Sequence, residues 1–308
     1  MVSKKLQLPE INFMAKSRQT LFLSVFLLFA SIVSLSTKGL NLGIDFTGGT
    51  LVELGFEGVT ELESIRAKLG ASEFAGANVQ KFGTDSEILI RLPPTQTTDS
   101  SELSNQIIAI FPEAEMRRIE FVGPQVGQEL TEGGLLALIY AFGGILVYVM
   151  LRFTLKFSVG AVIATIHDVL ITIGFFSLTR FEFDLTVLAA ILAVIGYSLN
   201  DTIVVFDRIR ENFRRLRNMS AIQTINRSLN ETLSRTLVTS GTTLLVVVSL
   251  LLLGGELIAG FATALLVGVV VGTYSSIYVA SNALVILGVS KAELMPVKKD
   301  ETPLDRRP

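Results

Sequence analysis

The stretch LTVLAAILAVIGYSLNDTIVVF, residues 185–206, has the length and apolar character of a membrane-spanning helix, yet it contains a carboxylic acid, Asp201. A helix needs about 20 mostly apolar residues to cross the hydrocarbon core of a bilayer. A charged side chain in that core costs at least about 2.5 kcal/mol, so such residues are rare and by default mark an ion or substrate pathway. This stretch therefore predicts both the class of the fold and the position of a functional site.

The composition of the whole chain is that of a membrane protein. Of its 308 residues, 50% are hydrophobic and 18% are charged, whereas an ordinary soluble domain has about 25% charged residues. The net charge of −2 argues against nucleic-acid binding. Because the chain has no Cys and one His, we expect no disulfide scaffold and no metal site, and we predict no cofactor.

Long runs with few or no charges predict an α-helical membrane protein with six transmembrane helices. The predicted spans are 19–37, 133–151, 157–179, 185–206, 236–255 and 261–287. The first run also fits a cleaved signal peptide, because basic residues precede it. It is longer than a typical signal h-region and five more spans follow, so we expect an uncleaved anchor.

Lys and Arg residues concentrate at one end of the predicted spans. They occur in 1–18, at Arg152 and Lys156, in 207–235 and in 288–308. Since short loops rich in Lys and Arg stay in the cytoplasm, we predict a multi-pass membrane protein with both termini cytoplasmic. Apolar residues recur at helical spacing in 207–235, which predicts amphipathic helices along the cytoplasmic surface. Attraction to anionic lipid and docking of a partner both fit this pattern.

Residues 38–132, between the first two spans, have the composition of a folded module, with 7 basic and 15 acidic residues. Their hydrophobic pattern predicts alternating strands and helices. The predicted order is strand 50–56, helix 59–69, strand 77–82, strand 88–92, helix 100–111 after Asp99, and strand 116–122. The order βαββαβ predicts a ferredoxin-like α+β domain, and the predicted topology places it on the side of the membrane opposite the cytoplasm.

Several motifs occur in a fixed order from the first predicted span to the fifth. They are GIDFTGGT at 43–50, GPQVG at 123–127, HD at 167–168, GYSLNDT at 196–202, FDRIREN at 206–212, RT at 235–236 and TSG at 239–241. In this order they resemble the SecD/SecF family of protein-export membrane proteins, and its SecF members in particular. The resemblance covers the chain from about the first span to the sixth.

The resemblance implies a location in the bacterial inner membrane, with the external domain in the periplasm. It also implies an architecture similar to resistance-nodulation-division transporters and no enzymatic activity. It implies pairing with SecD, action with the SecYEG channel on an unfolded preprotein chain, YajC as a further partner, and use of the proton-motive force to promote export. Six spans with one external module also look like half of a two-fold transporter, which favours a partner of similar topology. A proton-driven exporter of small molecules or lipids and a passive scaffold are the alternatives.

Asp201 is the first candidate for a proton carrier. It follows Asn200 and lies shortly before Asp207, where we place the cytoplasmic boundary. Burial in a low-dielectric environment disfavours the charged form of a carboxyl group, so proton uptake and release by Asp201 is plausible near neutral pH. The alternative is a structural hydrogen-bond acceptor that holds two helices together.

Four further residues are candidates for the same proton pathway: Asp168, His167, Arg235 and Asn200, the residue before Asp201. His167 and Asp168 are adjacent, so they point about 100° apart on a helix and face different neighbours. Asp168 is the stronger pathway candidate, whereas His167 fits a relay member or a structural hydrogen-bonding group equally well. Arg235, at the entrance of the fifth span, fits a countercharge for Asp201 or an ordinary boundary arginine.

The glycine-rich segment 43–50 lacks the Gly-Lys-Ser/Thr ending of a phosphate loop, so we do not expect nucleotide binding. Its glycines are expected to allow an unusual backbone path where the first span meets the external module. Its aspartate is expected to bond to nearby backbone N–H groups. The predicted structural or hinge positions are Gly43, Asp45, Phe46, Gly48 and Gly49.

Overall fold

A computed structural model describes residues 10–93, 100–216 and 218–290 of the chain. Half of the predicted N-terminal segment 1–18, most of the predicted tail 288–308, and Asp99 lie outside the described residues. Within the described ranges, six helical segments are long and apolar enough to cross a membrane. The predicted number of membrane-length helices is therefore confirmed for this part of the chain.

The first long helix leads into a short irregular connection. A single 3-10 turn, Met14–Lys16, precedes helix α1 (Ser17–Lys38), which ends where Gly39 adopts a φ of 62°. The chain then forms the two-residue strand β1 (Asn41–Leu42) and the one-turn helix α2 (Ile44–Thr47). Helix α1 packs on the helix formed by Leu155–Thr179, and Ser34 Oγ lies 2.8 Å from Ser177 Oγ in this contact.

An α+β module follows α2. Its elements are β2 (Gly49–Phe56), α3 (Leu62–Gly70), β3 (Asn78–Phe82), β4 (Thr84–Leu92), α4 (Ser100–Ile110) and β5 (Ala114–Val122). The strands form an antiparallel sheet in the order β3-β4-β2-β5. Each helix therefore connects two strands that are separated by another strand, which is the split βαβ connectivity.

The core of the module lies between this sheet and its two helices. Successive strand residues point to opposite faces, so Val52 and Leu54 of β2 and Ile88 and Ile90 of β4 share the buried face. The other fully or nearly fully buried members of this core are Ile65, Leu69, Phe74, Val79, Leu92, Leu103, Ile107 and Phe111. The module thus has a hydrophobic core of its own, separate from the cores among the long helices.

The remaining long helices follow directly. They are α5 (Pro124–Arg152), α6 (Leu155–Thr179), α7 (Leu185–Arg215), α8 (Ala221–Leu253), α9 (Glu256–Ile277) and α10 (Val279–Ile286), with the two-residue strand β6 (Glu182–Phe183) between α6 and α7. Together α9 and α10 form the last membrane-length segment. The two helices that carry the ionisable residues, α6 and α7, are the most buried of the set, so these residues lie at the centre of the bundle.

Most of segment 207–235 extends the long helices, which replaces the prediction of separate surface helices. The fourth long helix, α7, continues to Arg215, and α8 begins at Ala221 behind a Ser220 capping box. The apolar residues of the two extensions, which include Phe213 and Ile225, belong to one buried cluster. Because these apolar faces pack in the interior of the protein, the segment forms extensions of α7 and α8.

Helices α7 and α9 approach each other closely because α9 has glycines on the facing side. A Cβ atom on Gly268 would lie 2.2 Å from Cγ2 of Val194, well inside van der Waals contact. One turn later, a Cβ on Gly272 would lie 3.3 Å from Cβ of Ser198. Small residues at such spacing let helix backbones approach, and this brings the polar residues after Gly272 next to α6 and α7.

Candidate functional site: two buried carboxyl groups

Asp168 on α6 is completely buried at the centre of the bundle. Its Oδ2 accepts hydrogen bonds from Ser198 on α7 at 2.5 Å and from Ser275 on α9 at 2.6 Å. Its Oδ1 lies 2.9 Å from Nδ1 of His167. A buried carboxyl group is costly unless its oxygens are hydrogen-bonded, and these three partners reduce that cost.

His167 also contacts α9, the helix whose Ser275 bonds to Asp168, so the two residues share a neighbour and do not face different ones. Its ring is 3% exposed and stacks on Tyr274 of α9, with 6.3 Å between ring centroids. The Tyr274 hydroxyl donates a hydrogen bond to the backbone carbonyl of Thr20 on α1 at 2.7 Å. The second ring nitrogen of His167, Nε2, has no hydrogen-bond partner among the described residues. His167 therefore has one ring nitrogen at Asp168 and one that is unused.

Asp201 on α7 is 6% exposed and contacts two other helices. Its Oδ1 accepts a hydrogen bond from Thr236 on α8 at 2.9 Å, and its Oδ2 accepts one from Ser276 on α9 at 2.5 Å. Ser275 and Ser276 are consecutive, so one turn of α9 donates to both buried carboxyl groups. Because hydroxyls can donate or accept, these contacts can rearrange when a carboxyl group gains or loses a proton.

Asn200 and Arg235 lie outside this buried cluster. Both are exposed, and both line an open cleft of about 1050 Å³ at the end of α7 that is remote from the module. Within the part of the chain that the structure describes, Arg235 makes no ion pair with Asp201. The bundle therefore brings Asp201, Asp168 and His167 into its centre, whereas Asn200 and Arg235 line the cleft.

Sequence reasoning missed four hydroxyl residues that hold the carboxyl groups. Ser198 and Thr236 fall within the quoted motifs, but a motif alone does not indicate which of its hydroxyls meets an acid. Ser275 and Ser276 lie in the long apolar run of the last span, where no ionisable residue draws attention to them. The available signal was a run of four hydroxyl residues, Thr273 to Ser276, directly after Gly272 in a largely apolar helix.

The glycine-rich segment forms a tight corner against the start of α5. Gly48 and Gly49 have φ values of 68° and 127°, which side chains rarely tolerate. A Cβ on Gly48 would lie 2.9 Å from Cα of Pro124, the first residue of α5. From the other side, a Cβ on Gly127 would lie 2.9 Å from the carbonyl oxygen of Phe46. The backbones of the segment and of α5 are therefore in direct contact.

The same segment also contacts the start of α7. Oδ2 of Asp45 accepts a hydrogen bond from the backbone N–H of Leu185 at 2.9 Å, while Asp184 caps the N–H of Val187 at 2.8 Å. Gly43 donates its N–H to the carbonyl of Phe183 at 2.9 Å. An acceptor at a helix N-terminus satisfies donors that the helix itself leaves unpaired. The segment thus joins the first turn of the helix that carries Asp201.

A second connection joins the sheet of the module to the same region. Strands β1 and β6 pair in parallel, with Asn41 opposite Glu182, and Glu182 forms an ion pair with Arg91 of β4. Burial lowers the pKa of Arg91, and the Asp184 carboxylate opposes this shift. The Arg91 side chain is only 10% exposed, so its charge is held at the boundary between the module and the bundle.

Comparisons with known proteins give consistent results over most of the chain. A model of the family described as Protein export membrane protein SecD/SecF, C-terminal, matches residues 102–290, and one described as SecD/SecF GG Motif matches residues 33–58. The Protein translocase subunit SecF of Vibrio alginolyticus is 52% identical over 97% of this chain and 97% of its own length. That of Pseudomonas aeruginosa is 43% identical over 98% and 99%, respectively.

Solved structures show the same likeness in three dimensions. The crystal structure of SecDF, a translocon-associated membrane protein, from Thermus thermophilus matches with a TM-score of 0.84 at 41% identity. The match covers 92% of this chain and 39% of that chain. A structure of SecDF in a super-membrane-facing form matches with a TM-score of 0.68 at 40% identity. The chain thus spans well under half the length of these solved proteins.

Proposed function

Because this chain belongs to the SecD/SecF family of protein-export membrane proteins, we propose that it is a SecF-type accessory subunit of the Sec protein translocase. It associates with a SecD partner, acts beside the SecYEG channel and promotes export of an unfolded preprotein. Relatives named Protein translocase subunit SecF, matched over nearly their full length, support this role. The likeness to solved SecDF chains supports association with SecD.

Both termini lie in the cytoplasm in this proposal, and the ferredoxin-like module lies in the periplasm. The distribution of arginine supports this orientation, because arginines crowd the end of α7 and the start of α8, remote from the module. Loops rich in Lys and Arg are retained in the cytoplasm. At the module end, Arg180 donates hydrogen bonds to the backbone carbonyls of Lys38 and Gly39, which makes it part of the junction.

The proton-motive force acts through Asp201. The observation that carries this step is that two hydroxyls from two different helices, Thr236 and Ser276, hold the buried Asp201 carboxyl group. An ionised carboxylate only accepts hydrogen bonds, whereas a protonated one also donates, so a proton changes how α8 and α9 bond to α7. One proton crossing 100 mV releases about 2.3 kcal/mol, which is comparable with one or two net hydrogen bonds.

The rearranged hydrogen bonds at Asp201 affect the module in two steps, first through α9 and then through α7. A shift of α9 moves Ser275 and Ser276 together, and so alters the bonds of Asp168 as well as those of Asp201. At the other end of α7, Asp45 ties the first turn of the helix to the glycine-rich segment. Movement of α7 therefore displaces the glycine-rich segment, and with it the start of the module that handles the emerging chain.

Export by inverted membrane vesicles, with and without a proton gradient, tests this function. Asp201→Asn keeps the shape and most hydrogen bonds of the side chain but cannot release a proton. We expect this variant to assemble with SecD and to lose the part of export that responds to the gradient. Asp207→Asn is the matched control, because Asp207 lies on the same helix, has a side chain that is 40% exposed, and pairs with Arg152. Export by Asp201→Asn that responds fully to the gradient would indicate a passive scaffold.

A further inference from the structure

The open cleft at the end of the bundle carries an excess of positive charge. Its walls come from the end of α5 and from the extensions of α7 and α8, and it reaches as deep as Asn200. Six arginines line it, against three carboxylates: Arg152, Arg208, Arg210, Arg214, Arg215 and Arg235, with Asp207, Glu211 and Glu231. Concentrated like charge is unfavourable unless counterions neutralise it, so the cleft attracts anions.

The carboxylates in the cleft are already engaged by neighbouring arginines. Arg152 contacts Asp207 at 2.9 Å, and Arg208 contacts Glu211 at 2.8 Å. The third carboxylate, that of Glu231, is shared among Arg227 at 3.2 Å, Arg208 at 3.6 Å and Arg215 at 3.9 Å.

Two arginines of the cleft keep their charge available for a ligand. Among the described residues, neither Arg210 nor Arg235 forms an ion pair. Arg215 contacts Glu231 only at 3.9 Å, and its side chain is 57% exposed. Guanidinium groups present paired donors that match the oxygens of phosphate. The chemistry of the cleft therefore fits a phosphate group.

Large exposed apolar side chains lie within three residues, along the chain, of two of the arginines that line the cleft. Leu151 and Leu155 adjoin Arg152 and are 85% and 67% exposed, whereas Leu237 and Val238 adjoin Arg235 and are 50% and 62% exposed. A free phosphate ion makes no use of such a surface, but the acyl chains of a lipid cover it. Basic pockets between membrane helices are known to bind anionic lipid headgroups.

We propose that this cleft is a binding site for the phosphate headgroup of an anionic membrane lipid, held by Arg210 and Arg215 beside Arg235. The acyl chains lie on the leucines next to Arg152 and on the apolar face that follows Arg235. This site goes beyond the export role and does not depend on whether Asp201 carries protons, because none of its ligands is a buried carboxyl group.

Spin-labelled phosphatidylglycerol provides the test, with the full chain in vesicles of phosphatidylethanolamine. Arg210→Gln together with Arg215→Gln should weaken retention of the label about 30-fold, the loss expected for two surface cations. Lys16→Gln together with Arg18→Gln is the matched control. These residues are exposed at the same end of the bundle, where Ile11 bonds to Asn230 of α8, but they do not line the cleft. The control should retain the label like the unmodified chain.

A lysine variant and a competition with free phosphate complete the test. Lysine at positions 210 and 215 keeps the charge and should recover most of the retention, whereas loss as complete as in the glutamine variant contradicts a charge-based site. An excess of inorganic phosphate should leave the lipid in place, whereas displacement by phosphate alone overturns the lipid as the ligand. Equal retention by the unmodified chain and the double glutamine variant overturns the site itself.

Discussion

Ser276 donates a hydrogen bond to Oδ2 of Asp201 across the interface of α7 and α9, at 2.5 Å. The residue before it, Ser275, donates to Oδ2 of Asp168 on α6 at 2.6 Å. One turn of α9 therefore holds two buried acidic side chains that belong to two different helices. A small movement of this turn changes the surroundings of both acids together.

Replacing Ser276 by alanine tests the importance of this bond. The change removes one of the two hydroxyl donors to Asp201 and leaves the packing almost unaltered. Hydrogen bonds between membrane helices contribute about 0.6 kcal/mol on average and up to about 1.7 kcal/mol, so we expect a free energy of unfolding lower by that amount. Export that depends on the proton gradient should also fall. Thermal unfolding in detergent and the vesicle export assay measure the two effects.

Ser281→Ala is the matched control for this prediction. Ser281 is equally buried on the last membrane-length segment, but its Oγ has no hydrogen-bond partner among the described residues. Its loss should leave both stability and export near the unmodified values. If the two alanine variants behave alike, the bond from Ser276 has no special role at Asp201.

Gly268→Ala should separate α9 from α7. The new methyl group would start 2.2 Å from a methyl of Val194, which is completely buried, so one of the helices must shift. Overpacking of this kind costs about 1 to 3 kcal/mol. Because Ser275 and Ser276 follow on the same helix, their bonds to the acids should weaken and export should fall.

Gly241→Ala offers the comparison for Gly268→Ala, since a Cβ on Gly241 meets no atom within 4 Å among the residues that the structure describes. Alanine has the higher helix propensity, so this variant should be as stable as the unmodified chain or slightly more stable. A comparison of the melting temperatures of Gly268→Ala and Gly241→Ala tests this prediction. If Gly268→Ala melts at the same temperature as the unmodified chain, the close approach of α7 and α9 is not needed for stability.

Glu182→Gln should loosen the attachment of the module to the bundle. The change leaves the guanidinium of Arg91, only 10% exposed, without its ionic partner. Removing one member of a largely buried pair leaves a poorly compensated charge, and we expect a loss of roughly 1 to 3 kcal/mol. Faster hydrogen exchange in β1 and β6, measured by mass spectrometry, reports the loosening.

Glu87→Gln removes a comparable pair that lies within the module. The side chains of Arg117 and Glu87 are 45% and 17% exposed, and both residues lie in the four-stranded sheet, which does not include β1 and β6. Exchange in β1 and β6 should therefore stay unchanged in this variant. Unchanged exchange in Glu182→Gln as well would mean that the ion pair does not hold the junction.

The membrane-length helices and the buried acids could be predicted from the sequence, because hydropathy and charge are local properties of a stretch such as 185–206. The helix ends could not, since charges at Asp207 and Arg208 indicate a boundary while the backbone continues as α7 to Arg215. What keeps that extension folded is the packing of residues such as Phe213 against α8. Such packing depends on tertiary structure.

The partners of the acids also depend on tertiary structure. Asp201 stands out in an apolar stretch, but whether it meets Ser276 or another hydroxyl depends on the rotation and the depth of α9. These are set by the contact of Gly268 with Val194, which no local pattern specifies. Similarly, the glycine pair Gly48-Gly49 predicts an unusual backbone, whereas its contact with Pro124 requires the folded chain.

Proton movement through vesicles that contain this chain with its SecD partner tests the central claim most directly. A pH-sensitive dye inside the vesicles reports the initial rate of proton entry under an imposed gradient, in the presence of an unfolded preprotein. With Asp201→Asn, the rate should fall to that of vesicles without protein, and with Asp207→Asn it should stay at the unmodified rate. Proton entry at the unmodified rate in the Asp201→Asn protein would contradict a proton-carrying role for this carboxyl group.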